Sequence, residues 1–155
     1  MIKTILGITL LAAFLLAGAK IKDNKSFVNI FFERLKSFND ELCVDISLYS
    51  RPISVSLSEL NESVQGAMCG VENVAAGEKF IFKDRRFNKK QKEFIEFYVN
   101  SLGRYDAPCE TERLKSLSAR LEALLAESQK TANIYSALSI KLSFCLGLVL
   151  LVVII

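Results

Sequence analysis

The chain has 155 residues, 51% of them hydrophobic, with 20 basic and 17 acidic side chains and a formal net charge of +3. So small an excess of positive charge does not favour broad nucleic-acid affinity. The lack of histidine removes the usual general base and triad partner, and four scattered cysteines form no CxxC ligand pair. A protein without cofactor, metal or enzymatic activity is the expectation.

In chain order, the first feature is an apolar run from Ile5 to Ala19, read as an N-terminal membrane anchor over residues 1–19. Fifteen helical residues span about 22 Å against roughly 30 Å of hydrocarbon, so Lys3 and Lys20 must snorkel at its ends to complete a span. The same stretch also fits a cleavable signal peptide, with Lys3 as n-region and Ala17-Gly18-Ala19 as cleavage site. In that alternative the chain is an exported helical interaction domain anchored at its C terminus. Cys43, Cys69 and Cys109 would then meet an oxidising space, where an odd set of three completes no disulfide framework.

Residues 20–136 hold every Lys, Arg, Asp and Glu except Lys3 and Lys141. A segment of this size buries roughly two thirds of its unfolded surface, enough for one stable domain. The periodicities are helical, and the expected fold is all-α: a helical bundle flanked by N- and C-terminal transmembrane helices. From Phe27 to Leu48, Phe27, Ile30, Phe31, Leu35, Phe38, Leu42 and Ile46 recur at three- and four-residue spacing. Arg51 and Pro52 break this helix, because proline disfavours helical geometry before it and lacks an amide donor. A shorter helix then runs to about Val64. Gln65 to Phe82, with Gly66, Gly70 and Gly77, is the least regular stretch and holds at most a short helix near Val71 to Ala76.

Lys83, Arg85, Arg86, Lys89, Lys90 and Lys92 fall within ten residues, opposed by Asp84 alone. Asn88 is the expected N-cap of a helix over Lys89–Leu102, with Phe94, Ile95, Phe97, Tyr98 and Leu102 on the buried side and Gly103 as terminator. Cations at a helix start oppose the macrodipole. The run therefore reads as a partner surface, steering an acidic protein face or lying on anionic lipid, with a solvated helix start as the plain alternative. After Pro108, Leu114, Leu117, Leu121 and Leu124 form an a/d seam. The helix either continues as one rod into the C-terminal transmembrane helix, residues 137–155, or breaks near Thr131 to Asn133. Asp106 reads as a cap before this helix or as an assembly contact. The carboxylate pairs Asp40/Glu41 and Glu110/Glu112 read as solvated helix faces, and the cysteines as small buried hydrophobes. The basic residues beside both apolar ends place residues 20–136 in the cytoplasm by the positive-inside rule.

Several segments resemble one family. Ser101-Leu102-Gly103-Arg104-Tyr105-Asp106, the leucine-patterned helix after it, Tyr135-Ser136-Ala137-Leu138 and the apolar Leu146 to Ile155 are similar to stage III sporulation protein AB, as is Ser50-Arg51-Pro52-Ile53 before a second helix. The resemblance implies a membrane component of the secretion-like channel apparatus between mother cell and forespore, in the mother-cell membrane with its domain in the cytoplasm. It further implies similarity to the cytosolic helical domains of type II secretion and type IV pilus platform proteins. The partners implied are a stage III sporulation protein AA-like ATPase and other membrane components of the apparatus, with membrane lipid but no nucleic acid; a homo-oligomer is left open. Partner-binding residues expected on this basis are Lys83, Arg85, Arg86, Lys89, Lys90, Lys92, Arg104 and Asp106. The sequence departs from the family pattern at Glu110, Ser139, Ser143 and Lys141, and in having no tryptophan.

Overall fold

The structure is a computed structural model that describes residues 2–48 and 78–154 and, between them, Ser56, Glu59, Leu60, Val64, Ala67, Met68, Val71 and Val74. It is all-α: α1 spans Ile2–Leu48, α2 Lys89–Ser101 and α3 Ala107–Ile154, with no strand among the described residues. The expected break at Arg51 and Pro52 lies outside the described residues, as does most of the helix expected after it; Ser56, Glu59 and Leu60 are helical. Val71 and Val74, in the stretch that promised at most a short helix, sit in 3₁₀ geometry. Both long helices are unbroken, α1 through Lys20 to Ser26 and α3 through Thr131 to Asn133. The chain forms two compact units, one from the residues up to Asn29 with those from Glu127 onward, the other Ile30–Ala126. The sequence boundaries at 19 and 137 follow the loss of apolar character; the units divide about ten residues further in.

The Ile30–Ala126 unit has a core of two leucine stripes and a group of aromatic rings. Leu35 and Leu42 of α1, Ile95 and Tyr98 of α2, and Leu114, Leu117, Leu121 and Leu124 of α3 are all buried, which places the expected a/d seam inward. Phe31 packs against Phe87 with ring centres 4.8 Å apart, and Phe87 against Phe82 at 4.9 Å. Such edge-on pairs add about 0.5 to 1.5 kcal/mol beyond area burial. Phe97, expected inside, is 54% exposed, and Ile30 is 41% exposed. The buried stripe of α2 follows Gln91, Phe94, Ile95, Tyr98 and Val99, three and four residues apart, and Phe97 falls between its turns. Ile30 misses the α1 stripe through Val28, Phe31, Phe32 and Leu35 in the same way.

One buried polar group ties the three helices together. Asn39 donates to the Leu114 carbonyl at 3.3 Å and accepts from the Tyr98 hydroxyl at 3.1 Å. Burial pushes the Tyr98 phenol far above its ordinary value. A pKa raised by folding contributes stability that is intact below the unfolded value, about 10, and declines as the pH rises past it. Tyr98→Phe should therefore cost about 1 to 3 kcal/mol at neutral pH, because the Asn39 oxygen loses its donor. Chemical unfolding at neutral and alkaline pH checks both parts: the parent should lose stability above pH 10 more steeply than the variant.

In the other unit, an N-terminal and a C-terminal stretch run antiparallel at close approach. A β-carbon on Gly18 would lie 2.5 Å from Ser143 Oγ and 3.1 Å from the Ser139 carbonyl oxygen, and one on Gly147 would lie 3.2 Å from Leu11 Cγ. A side chain at Gly18 would press on Ser143 and the Ser139 backbone, so glycine fits there, as in the small-residue packing common between helices in lipid. Leu16, Leu142, Leu146, Val149 and Val152 face outward. Among the described residues one helix, the Ala107–Leu150 stretch of α3, is long and apolar enough to cross a membrane.

The cysteines depart from the expectation of small buried hydrophobes. Cys43 is half-buried, its thiol pushed up by burial and then by Asp40, but Cys109 and Cys145 are exposed. Each follows a face of α3 that the leucine seam leaves outside. Cys69 lies outside the described residues.

Candidate interaction surface

The basic run sits on a loop fixed from beneath. Phe80 and Phe82 alternate inward with Ile81 and Lys83 outward, the period of an extended chain. This segment has helical side chains as its hydrogen-bonding partners. The Phe80 amide donates to Asn100 Oδ1 at 2.8 Å, Asn100 Nδ2 donates back to the Phe80 carbonyl at 2.9 Å, and the Phe82 amide donates to Glu96 Oε1 at 2.9 Å. Next, Asp84 accepts from the Arg86 amide at 2.9 Å and grips its guanidinium through both carboxylate oxygens. Partial burial alone would raise the Asp84 pKa, but the Arg86 bonds outweigh it and hold the carboxyl below its usual range. Phe87 plugs the aromatic cluster, and Asn88 caps α2 through a reciprocal box with Gln91, at 2.8 and 3.0 Å.

These contacts sort the expected partner-binding residues. Arg86 is committed to the turn, and Lys92, half-buried, adds its charge to the field on Asp84. Lys89 faces Glu93 at 3.8 Å with both side chains largely in water, a pair of little energetic weight. Lys83, Arg85, Lys89 and Lys90 are exposed around the loop and the first turn. Arg104 and Asp106 are exposed beyond the opposite end of α2, whose 13 residues measure roughly 20 Å. The eight residues therefore form two places, a basic loop and a turn. At the turn, the Asp106 carbonyl accepts the Glu110 amide at 2.9 Å, where a capping residue belongs, and its carboxylate hydrogen-bonds the Cys109 thiol, raising the thiol's pKa.

That turn holds a feature the sequence reading missed. Glu110, expected on a solvated face, is 1% exposed. Its carboxylate binds Arg113 at 2.6 Å and accepts the Gly103 amide at 3.1 Å, while Arg113 also donates to the Ser101 hydroxyl. Gly103 has φ 72°, a left-handed conformation that a β-carbon disfavours. The signal was a glycine after a helix followed seven residues on by Glu-x-x-Arg. Glu112, by contrast, is exposed, and Asp40 is exposed and paired with Lys36 at 3.3 Å.

A concavity of about 460 Å³ is lined by Phe38, Leu42 and Val44 with Asp40, Glu41, Asp45, Glu59 and Ser56. Among the described residues no group of three or more ligating side chains could hold a metal ion. No model of a protein family, no curated protein and no solved structure matches this chain.

Proposed function

We propose that this chain is a non-enzymatic, membrane-anchored assembly component whose helical domain lies on the cytoplasmic side and presents the basic loop to an acidic partner. The observation that carries this reading is the outward apolar surface of the Gly18/Gly147 hairpin, at Leu16, Leu142, Leu146, Val149 and Val152. An apolar surface of that kind is costly in water and suits lipid. The lysines and arginines gathered between the apolar ends support the cytoplasmic orientation.

For the partner, support comes from the loop. Lys83, Arg85, Lys89 and Lys90 are held outward by a scaffold of phenylalanines, an Asp–Arg turn and a capping box, and two of them oppose the helix dipole. Folding gains little from cations so placed, whereas an acidic surface would be steered by them. The resemblance to stage III sporulation protein AB names the partner class: a secretion-type ATPase of the stage III sporulation protein AA kind, in the apparatus between mother cell and forespore.

The test is a fourfold reversal, Lys83→Glu, Arg85→Glu, Lys89→Glu and Lys90→Glu, that leaves Arg86 in its turn. Thermal stability should change little, since exposed charges and exposed pairs such as Lys89–Glu93 contribute about 0 to 1 kcal/mol each. Binding to the purified ATPase should fall at least tenfold and lose its salt dependence. Unchanged binding would remove the loop from the interface. Including Arg86→Glu should instead disorder the turn, which a changed Phe82 and Phe87 environment would report.

A further inference from the structure

The fold gathers four lysines that the sequence disperses. Contacts along the hairpin set an antiparallel register: Leu11 lies by Gly147, and Gly18 by Ser139 and Ser143. The Lys25 ammonium stands 5.3 Å from the centre of the Tyr135 ring, and the Ser128 hydroxyl donates to Asn29 at 3.2 Å. Each step up α1 is matched by a step down α3. Lys141 therefore stands level with Gly18, within a turn of Lys20 and Lys22 on the facing helix. From the level of Gly18 to that of Lys25 is about 10 Å of helix axis. Lys20 and Lys141 are exposed, Lys22 and Lys25 half-buried, and none of the four makes an ion pair among the described residues.

The surroundings identify what such a belt meets. On one side the large outward side chains include Leu16, Leu142, Phe144 and Leu146. On the other, Asn29 and Ser128 bond to each other, and Glu127 and Lys130 are exposed. Lys141 emerges between exposed Leu138 and Leu142, so a soluble acidic peptide bound there would leave its apolar neighbours in water. Only a headgroup layer places phosphate and hydrocarbon at the same level. Tyr135, apolar in body and polar at its tip, has the character of residues that occupy that layer.

We propose that Lys20, Lys22, Lys25 and Lys141 form a belt that binds anionic phospholipid, with headgroup phosphate oxygens accepting hydrogen bonds from the ammonium groups. This rests on the membrane-anchored reading above. A lysine at such a surface contributes about 1 kcal/mol, or about fivefold in affinity. The belt thus selects the lipid that surrounds the hairpin as well as fixing its depth.

The experiment reconstitutes the full chain into vesicles of phosphatidylcholine alone and of phosphatidylcholine with phosphatidylglycerol, then measures the lipid retained after mild extraction by mass spectrometry. The parent should insert into both and retain phosphatidylglycerol preferentially. Lys141→Gln should lower that preference about fivefold, and glutamine at all four positions should abolish it while helicity and insertion persist. Glutamine at Lys83 and Arg85 should leave it intact. Insertion without preference, or preference that survives the fourfold change, overturns the belt and leaves the anchoring reading standing. Failure to insert into either vesicle overturns both.

Discussion

Leu121→Ala should lower the unfolding free energy of the Ile30–Ala126 unit by about 2 to 5 kcal/mol, the cost of lost transfer energy plus the cavity left behind. Leu121 is fully buried in the α3 seam, between the equally buried Leu117 and Leu124. Urea unfolding of the full chain in detergent, followed by tyrosine fluorescence, measures the loss. The neighbouring Ala123→Ser, on the exposed face, should stay within about 0.5 kcal/mol. A loss well below 2 kcal/mol at Leu121 would mean that the seam is not the centre of the core.

The second large effect belongs to the turn between α2 and α3. Glu110→Ala removes the carboxylate that holds Arg113 and the Gly103 amide, leaving a guanidinium largely shielded from water and an amide without its acceptor. Breaking a buried pair from one side costs about 3 to 5 kcal/mol. Replacing both Glu110 and Arg113 with methionine should recover much of that, because no uncompensated charge remains. A double-mutant cycle reads the coupling directly, and independent, additive losses would show that the pair does not act as a unit.

Legibility followed the kind of interaction involved. The leucine seam, the Asn88 cap and the Gly103 terminator were readable because each is local: a spacing of three and four, a side chain that bonds three residues on, a residue tolerant of positive φ. Phe80 and Phe82 were not placed, because their strand-like alternation is satisfied by Glu96 and Asn100 on a helix, and no sheet neighbour announces it. Phe97 was misassigned since Phe94, Ile95, Phe97 and Tyr98 cover more of the α2 circumference than the core does. Of the interaction surface, the charge density was legible in the sequence, but the commitment of Arg86 to Asp84 and the separation of Arg104 and Asp106 from the loop needed tertiary structure. Glu110 was hidden for the same reason: its burial depends on the turn folding back over it.

The orientation of the domain is the claim on which the remaining account depends, and Cys109 offers a native probe because it is exposed at the start of α3. The hydrogen bond to Asp106 raises the pKa of this thiol, so labelling has to be run long enough to saturate permeabilised cells. With a membrane-impermeant maleimide, intact cells should leave Cys109 unlabelled, and permeabilisation should expose it to full modification. Labelling of Cys109 in intact cells to the permeabilised level would place the domain outside the cytoplasm and contradict the proposed function.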